Sequence, residues 1–243
     1  MRGRRQFVLG LSRGNTPAML YRLLAEESYV ARMPWDRTFV FWDDERWVPV
    51  DGEQSNQRMA RNELLDRVSI PRENIRPILT VGIEPRDSAA AAERQFRALF
   101  KGEPRPDLML PGIGVDGHAA SLFPGTSALL EQEALFAANQ VPQLDTWRIT
   151  ATLRLLESAR HLTFLVMGST QAAAMRQVLY SERDTVVLPA SMVKPSPGKL
   201  TWLLDREAAS LASAHALGGP AASAHALGGP AYRVYSRRRP MLV

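Results

Sequence analysis

The sequence predicts an α/β domain built on a mostly parallel sheet with helices on both faces. Short apolar runs recur at residues 6–11, 38–42, 108–110, 161–167 and 200–204. Each reads as a strand covered on both sides, because strands of parallel sheets are apolar without strict alternation. Segments of helical periodicity lie between them, and that alternation implies βαβ connections. Several runs stop at glycines or charges, which puts polar loops at the carboxyl ends of strands, where sheets of this class bind ligands.

Residues 6–11 form the first strand and Ser12-Arg13-Gly14-Asn15 a turn. Thr16 suits a helix N-cap and Pro17 the first helical position, with Met19, Leu20, Leu23 and Leu24 as the inward face. A strand, a polar glycine turn and a helix start in succession aim free N–H groups at one point. Ser12, Arg13, Gly14, Asn15 and Thr16 are therefore a candidate anion site, with an ordinary βα turn as the plain alternative. Residues 38–42, β-branched and aromatic, are the second strand. They run into Asp43-Asp44-Glu45-Arg46, by itself a solvated charge run. Ser55 caps a helix reaching to about Val68, with Met59, Leu64, Leu65 and Val68 inward. Residues 70–77 are a connecting loop and the alanine-rich 88–100 a helix.

Residues 106–125 organise the rest. Leu108 to Leu110 is a buried strand, and Gly112, Gly114 and Gly117 then open a tight turn that lets a ligand approach the backbone. His118 follows, then a short helix-like segment over 119–123, stopped by Pro124-Gly125. The glycine spacing matches GxGxxG, but Pro124 ends the segment too early for a dinucleotide fold and no acidic ribose partner follows the next strand. Residues 127–143 are loop and short helix; 147–152 and 161–167 are strands. Gly168-Ser169-Thr170 opens a helix over 171–179, and 200–204 is the final strand.

The 243 residues, 45% of them hydrophobic, suffice for one sizeable core. No apolar run approaches the ~18 residues of a membrane span, and no signal-like region follows the basic start. The absence of cysteine excludes disulfides and thiol catalysis and fits a cytoplasmic protein. The net charge of +5 resides mostly beyond residue 211, where four arginines and no acid stand; the remaining 211 residues carry 26 basic and 25 acidic side chains. That is not a nucleic-acid-binding distribution. Residues 212–221 repeat identically as 222–231, each copy with Gly-Gly-Pro, so 1–211 reads as a single domain and 212–243 as a duplicated, solvated basic tail. His215 and His225 lack neighbours at metal-ligand spacing.

The string from Gly112 to Gly125, GxGxDGHxASLFPG, resembles the signature of 6-phosphogluconolactonases, which hydrolyse 6-phosphogluconolactone to 6-phosphogluconate in the pentose phosphate pathway. The sister glucosamine-6-phosphate deaminases share the Asp-Gly-His core but continue with Asn-Glu-Pro-Gly. The turn at Ser12 resembles the family's Ser-Gly-Gly-Ser-Thr-Pro phosphate loop, with Arg13 in place of a glycine, a change that either strains the turn or adds a ligand. Asp44-Glu45-Arg46, Val48-Pro49 and Ser55-Asn56 resemble another family motif; the deaminases usually carry an aromatic residue where Arg46 stands. The Pro-Arg-Glu-Asn-Ile at 71–75 and the Leu-Pro-Ala at 188–190 match as well. Arg148 falls in the family's Arg-Ile-Thr segment, whose arginine reaches the phosphate, and Gln171 stands where a phosphate-binding lysine is common. A family helix that usually precedes the first strand is expected to be truncated, since five residues precede it.

The resemblance implies the fold shared by glucosamine-6-phosphate deaminases and ribose-5-phosphate isomerases, and metal-independent ester hydrolysis without a cofactor. His118 would take a proton from water attacking the lactone and return it to the ring oxygen. Arg46 or amides of the Gly112, Gly114 and Gly117 loop would hold the oxyanion, and Asp44 or Asp116 would orient His118. The phosphate would sit on residues 12–16 with Arg148 and Gln171. The expected partner is a small phosphosugar lactone, with neither nucleic acid nor membrane, and the expected state a monomer. Ser121 lies beside His118 without a GxSxG elbow. A deaminase or isomerase on the same fold, and a non-catalytic phosphosugar-binding protein, remain as alternatives.

Overall fold

A computed structural model describes residues 6–180 and 188–211 in full, and the backbone of 222–225 and 232–237. Eleven strands are described: β1 (Phe7–Leu11), β2 (Thr38–Trp42), β3 (Asp44–Arg46), β4 (Ile75–Arg76), β5 (Leu108–Met109), β6 (Phe136–Val141), β7 (Thr146–Ala151), β8 (His161–Val166), β9 (Lys199–Leu204), β10 (Ala222–His225) and β11 (Tyr232–Arg237). The helices are α1 (Asn15–Leu24), α2 (Glu27–Val30), α3 (Asn56–Glu63), α4 (Pro85–Arg97), α5 (Leu153–Ser158), α6 (Ala172–Tyr180) and α7 (Pro189–Met192). The α/β class holds: β4, β2, β1, β5, β8 and β9 lie side by side, all parallel.

The strand order positions the ligand site. From β1 the chain builds outward through β2 to β4, then returns to the other side of β1 with β5 and builds through β8 to β9. The order reverses between β1 and β5, and a crevice opens at the carboxyl ends of strands flanking such a reversal. Val8, Leu9, Leu11, Val40, Phe41 and Trp42 are all buried, as strands covered on both faces require. Burial of each such large side chain stabilises the fold by roughly 1.5–3 kcal/mol.

A second sheet, β3–β7–β6, is antiparallel, and only its middle strand was expected as a strand. Phe96 of α4 joins the two sheets, 4.6 Å from the Phe41 ring and 5.9 Å from the Phe136 ring. The connection at 70–77 likewise hides the short strand β4, paired with β2.

Other expectations are corrected. Gly14, not Thr16, is the N-cap of α1, with φ of 147° and no side-chain cap bond. Of the expected inward face of α1, Leu20 and Leu24 pack on the core beside the buried Ala18 and Tyr21, but Met19 and Leu23 are 52% and 39% exposed. The segment 119–123 is not helical, because Ala120 takes φ of 52° and Ala119 makes bridges to Ile113 and Leu122. The Ser55 cap holds, accepting from Arg58 N, but α3 stops at Glu63 and a 3₁₀ turn covers 65–67. Beyond residue 211 the two described segments extend the sheet, β11 antiparallel to β9 and β10 antiparallel to β11, so Arg237, expected in a solvated tail, ends a strand. Residues 212–221, 226–231 and 238–243, including His215, both Gly-Gly-Pro copies, Arg238 and Arg239, lie outside the described residues, as do Val186 and Val187.

Asp43, where β2 passes into β3, is fully buried with neither carboxylate oxygen hydrogen-bonded. Burial first, and the neighbouring Asp44 second, push its carboxyl well above the ordinary aspartate range. The protonated acid is the form that folding favours, so this stability is full below the ordinary carboxyl value of about 4 and is lost as pH rises through the raised one. Asp43→Asn should therefore gain thermal stability over the unmodified chain as pH rises above ~4, with little difference below it. Melting curves across that range, showing no growth of the gap with pH, would contradict the assignment.

Candidate active site

Loops following β1, β2 and β5 meet at the reversal in strand order and surround a cleft of about 450 Å³. The β5 loop supplies His118, Asp116, Gly112 and Gly114; β3 and β7 supply Asp44, Arg46 and Arg148; the β1 loop supplies Arg13. These parts, scattered along the sequence, are brought together as expected. Ser12, Gly14, Asn15 and Thr16 stand beside the cleft through Arg13 rather than lining it. Gln171, in a 3₁₀ turn after β8, is not among its lining residues. Neither is Gly117, whose φ is 76° and whose carbonyl accepts from Ala190 N; a methyl group there would stand 2.7 Å from Leu188 Cδ2.

Of the two candidate carboxylates, Asp116 is the one hydrogen-bonded to the histidine. Asp116 Oδ1 lies 2.6 Å from His118 Nδ1 and also accepts from His118 N at 3.2 Å. The neutral imidazole paired in this way carries its proton on Nδ1 and presents Nε2 as an acceptor. The ring packs on Phe123 with centroids 4.1 Å apart. Gly114 leaves room for the pair, since a methyl group there would overlap the His118 ring.

Asp44, the other candidate, makes no hydrogen bond to His118. Its Oδ1 accepts from Asn56 Nδ2 at 2.6 Å and its Oδ2 from Ser121 Oγ at 2.5 Å. Ser121 Oγ therefore points at a carboxylate rather than at the histidine. Glu45, between Asp44 and Arg46, is structural: its oxygens accept from the amides of Arg46, Asn56 and Gln57 and from Ser55 Oγ. It stands at the positive end of α3 and welds that helix to β3. Its burial raises its pKa, and the three amides oppose the shift.

The cations are the other half of the site. Arg46 and Arg148 are directly opposite in the β3–β7 ladder, a like-charge pairing that destabilises a sheet. Arg13 joins them, and among the described residues none of the three has a carboxylate within ion-pair distance. Arg13 Nη2 donates to Glu53 O and Arg46 Nη1 to Gln54 O, so adjacent carbonyls hold the two guanidiniums. The Nε atoms of all three, and Nη1 of Arg148, are buried without a partner. Burial first, and Arg46 second, lower the pKa of both Arg13 and Arg148. An anion supplies what is missing: charge, and acceptors for the orphaned N–H groups. Arg13 is not among the residues with positive φ, so its replacement of a glycine adds a cation without backbone strain.

Sequence reasoning gave no site role to Asn56, Ser121 and Phe123, though all three lay in recognised motifs, and it missed Tyr21, in a helical face assigned to its neighbours. No group of three or more His, Asp or Glu among the described residues is arranged to hold a metal ion.

A family model described as glucosamine-6-phosphate isomerases/6-phosphogluconolactonase matches residues 1–202. The chain is 41% identical over 209 residues to a 6-phosphogluconolactonase of Synechocystis sp., covering 84% of each. Its fold matches a crystal structure titled devB protein with a TM-score of 0.81 and 30% identity, over 87% of this chain and 90% of that one. It also matches the 6-phosphogluconolactonase of Thermotoga maritima with a TM-score of 0.71 and 28% identity, over 83% and 86%.

Proposed function

The chain belongs to the family of glucosamine-6-phosphate isomerases and 6-phosphogluconolactonases, and from that premise we propose how its cleft carries out lactone hydrolysis. It is a 6-phosphogluconolactonase, hydrolysing 6-phospho-D-glucono-1,5-lactone to 6-phospho-D-gluconate in the pentose phosphate pathway. The observation that carries the mechanism is the placement of the Asp116–His118 pair in the same cleft as three guanidiniums without carboxylate partners.

Water attacks C1 of the lactone while His118 Nε2 takes its proton, and Asp116 stabilises the imidazolium that forms. The carbonyl oxygen becomes an oxyanion. Gly114 N donates to His118 O and Gly117 N to Gly114 O, so both amides are spent within the loop. With those two amides spent, the Arg46 guanidinium, whose buried Nε has no partner, serves as the oxyanion donor in this proposal. When the C1–ring oxygen bond breaks, the imidazolium returns its proton to the departing oxygen, and the new acid ionises. Arg13 and Arg148 hold the phosphate together with the amides at the start of α1, and this anchoring fixes the carbonyl against His118. Arg13 supplies on the cleft side a charge that Gln171 does not.

All these groups lie within residues 1–211, the proposed catalytic domain, whose sheet β11 and β10 extend, and it acts as a monomer in the cytoplasm on a small phosphosugar lactone, without cofactor or metal. No helix among the described residues is long and apolar enough to cross a membrane. The deciding experiment follows 6-phosphogluconolactone loss in EDTA, with spontaneous hydrolysis subtracted, beside ammonia release from glucosamine 6-phosphate. Rapid lactone turnover without ammonia is the expected result; ammonia release, or lactone loss at the spontaneous rate, overturns it.

Arg148→Ala is expected to raise KM about 10–100-fold with a smaller change in kcat, the scale of losing charge-assisted hydrogen bonds of roughly 1.5–3 kcal/mol. Initial rates against substrate concentration check this, and Arg148→Lys should recover only part of the loss because it lacks the planar fork.

A further inference from the structure

The β1 loop owes its shape to a side chain outside the cleft. Parallel pairing of β1 ends at Leu11, whose carbonyl accepts from Asp43 N at 3.0 Å. The next residue, Ser12, is 1% exposed, so its backbone N–H and C=O need partners that the strand ladder no longer supplies. Tyr21, two turns into α1 and 0% exposed, provides both. Its Oη accepts from Ser12 N at 3.1 Å and donates to Ser12 O at 2.9 Å. The helix thereby grips the strand end from which its own loop departs. Arg13 is the next residue, and Gly14, with φ of 147°, turns the chain into α1. Across the cleft Gly112 stands close, a methyl group there lying 3.6 Å from Arg13 O. The grip also withdraws the Ser12 amide from any ligand, so that the donors left to an anion are those after it.

We infer that Tyr21 is a positioning residue for the phosphate seat: its two hydrogen bonds to the Ser12 backbone hold the loop so that Arg13 and the following amides face the anion. The inference rests on the phosphate reading given above. It concerns binding of the phosphate, not proton transfer at C1, since the Asp116–His118 pair belongs to the β5 loop and has no hydrogen bond to α1.

Tyr21→Phe tests it, because the ring stays buried while both hydrogen bonds are lost. KM for 6-phosphogluconolactone should rise about 3–15-fold, the scale of one neutral hydrogen bond's net contribution, with kcat within about twofold. Affinity for 6-phosphogluconate, measured calorimetrically, should fall by the same factor, while kcat/KM for unphosphorylated glucono-1,5-lactone should not change. An equal loss on both lactones would mean a general structural role, and unchanged affinity would mean no role; either overturns the inference. Amide hydrogen exchange on the unmodified protein gives a second reading that needs no variant. Ser12 N–H should exchange slowly with and without 6-phosphogluconate, whereas protection appearing only with ligand would show that the grip is absent from the free protein. If the unmodified chain does not bind 6-phosphogluconate, the phosphate reading fails and this inference with it. If it binds and Tyr21→Phe binds equally, only the inference fails.

Discussion

His118→Ala should lower kcat for 6-phosphogluconolactone by about 10²–10⁴-fold and leave KM within a few-fold, the range expected for loss of a placed general base. The split between the two constants is the informative part. His118 is half-buried at the cleft, hydrogen-bonded to Asp116 and packed on Phe123, whereas the cations proposed for the phosphate, Arg148 and Arg13, belong to β7 and the β1 loop. Removing the imidazole removes the base without touching the anchor. A KM increase matching the fall in kcat/KM would place His118 in ground-state binding and sink the mechanism. Asp116→Asn should cost less than His118→Ala, because the base remains while its tautomer and orientation are no longer enforced. Adding imidazole to His118→Ala is a further check, since a cleft of about 450 Å³ has room for a free base beside the substrate.

The parallel core was legible because strands covered on both faces write themselves as largely apolar runs, as residues 7–11 and 38–42 do, while 161–166 keeps Leu162, Phe164 and Val166 buried on one face. The second sheet was not. β6 reads Phe-Ala-Ala-Asn-Gln-Val, and its buried Asn139 breaks the apolar signal while donating to Ser121 O and Thr126 Oγ1. Nothing local marks 119–123 as non-helical either: Ala120 is a strong helix former, forced to φ of 52° by the loop that carries the histidine. Part of the cleft's membership was readable, since the segments after 7–11, 38–42 and 108–110 carry most of it, but Gly117 and Gln171 were named as well and do not line it. The pairing within it was not readable. Asp44 and Asp116 were both candidates by sequence, with a turn cap as the competing use of Asp116, and Ser121 and Asn56, which occupy Asp44, reach it from elsewhere in the chain. Arg13 left two readings open, and the backbone angles and guanidinium environment decide for the cation.

Gly114→Ala should reduce kcat nearly as much as removing the base, although it adds only one methyl group. A Cβ on Gly114 would overlap Cε1 and Nδ1 of His118 and stand 2.5 Å from Asp116 Oδ1. Both partners of the Asp116–His118 hydrogen bond therefore lie in the space the methyl needs. The backbone cannot easily yield, because Gly114 N donates to His118 O and Gly117 N to Gly114 O, closing the loop on itself. The ring must rotate off Asp116, and a base displaced by about an ångström can cost on the order of 10²-fold. Global stability should change by no more than about 1–2 kcal/mol, since Gly114 is half-exposed and not at a positive φ. The expected signature is a chain that melts close to the unmodified protein and binds 6-phosphogluconate with little loss but turns over lactone at least tenfold more slowly. Full activity would mean that the Asp116–His118 pair is not held as described. A collapse of melting temperature together with activity would mean that Gly114 serves the fold, and the case for a space reserved for catalysis would be lost.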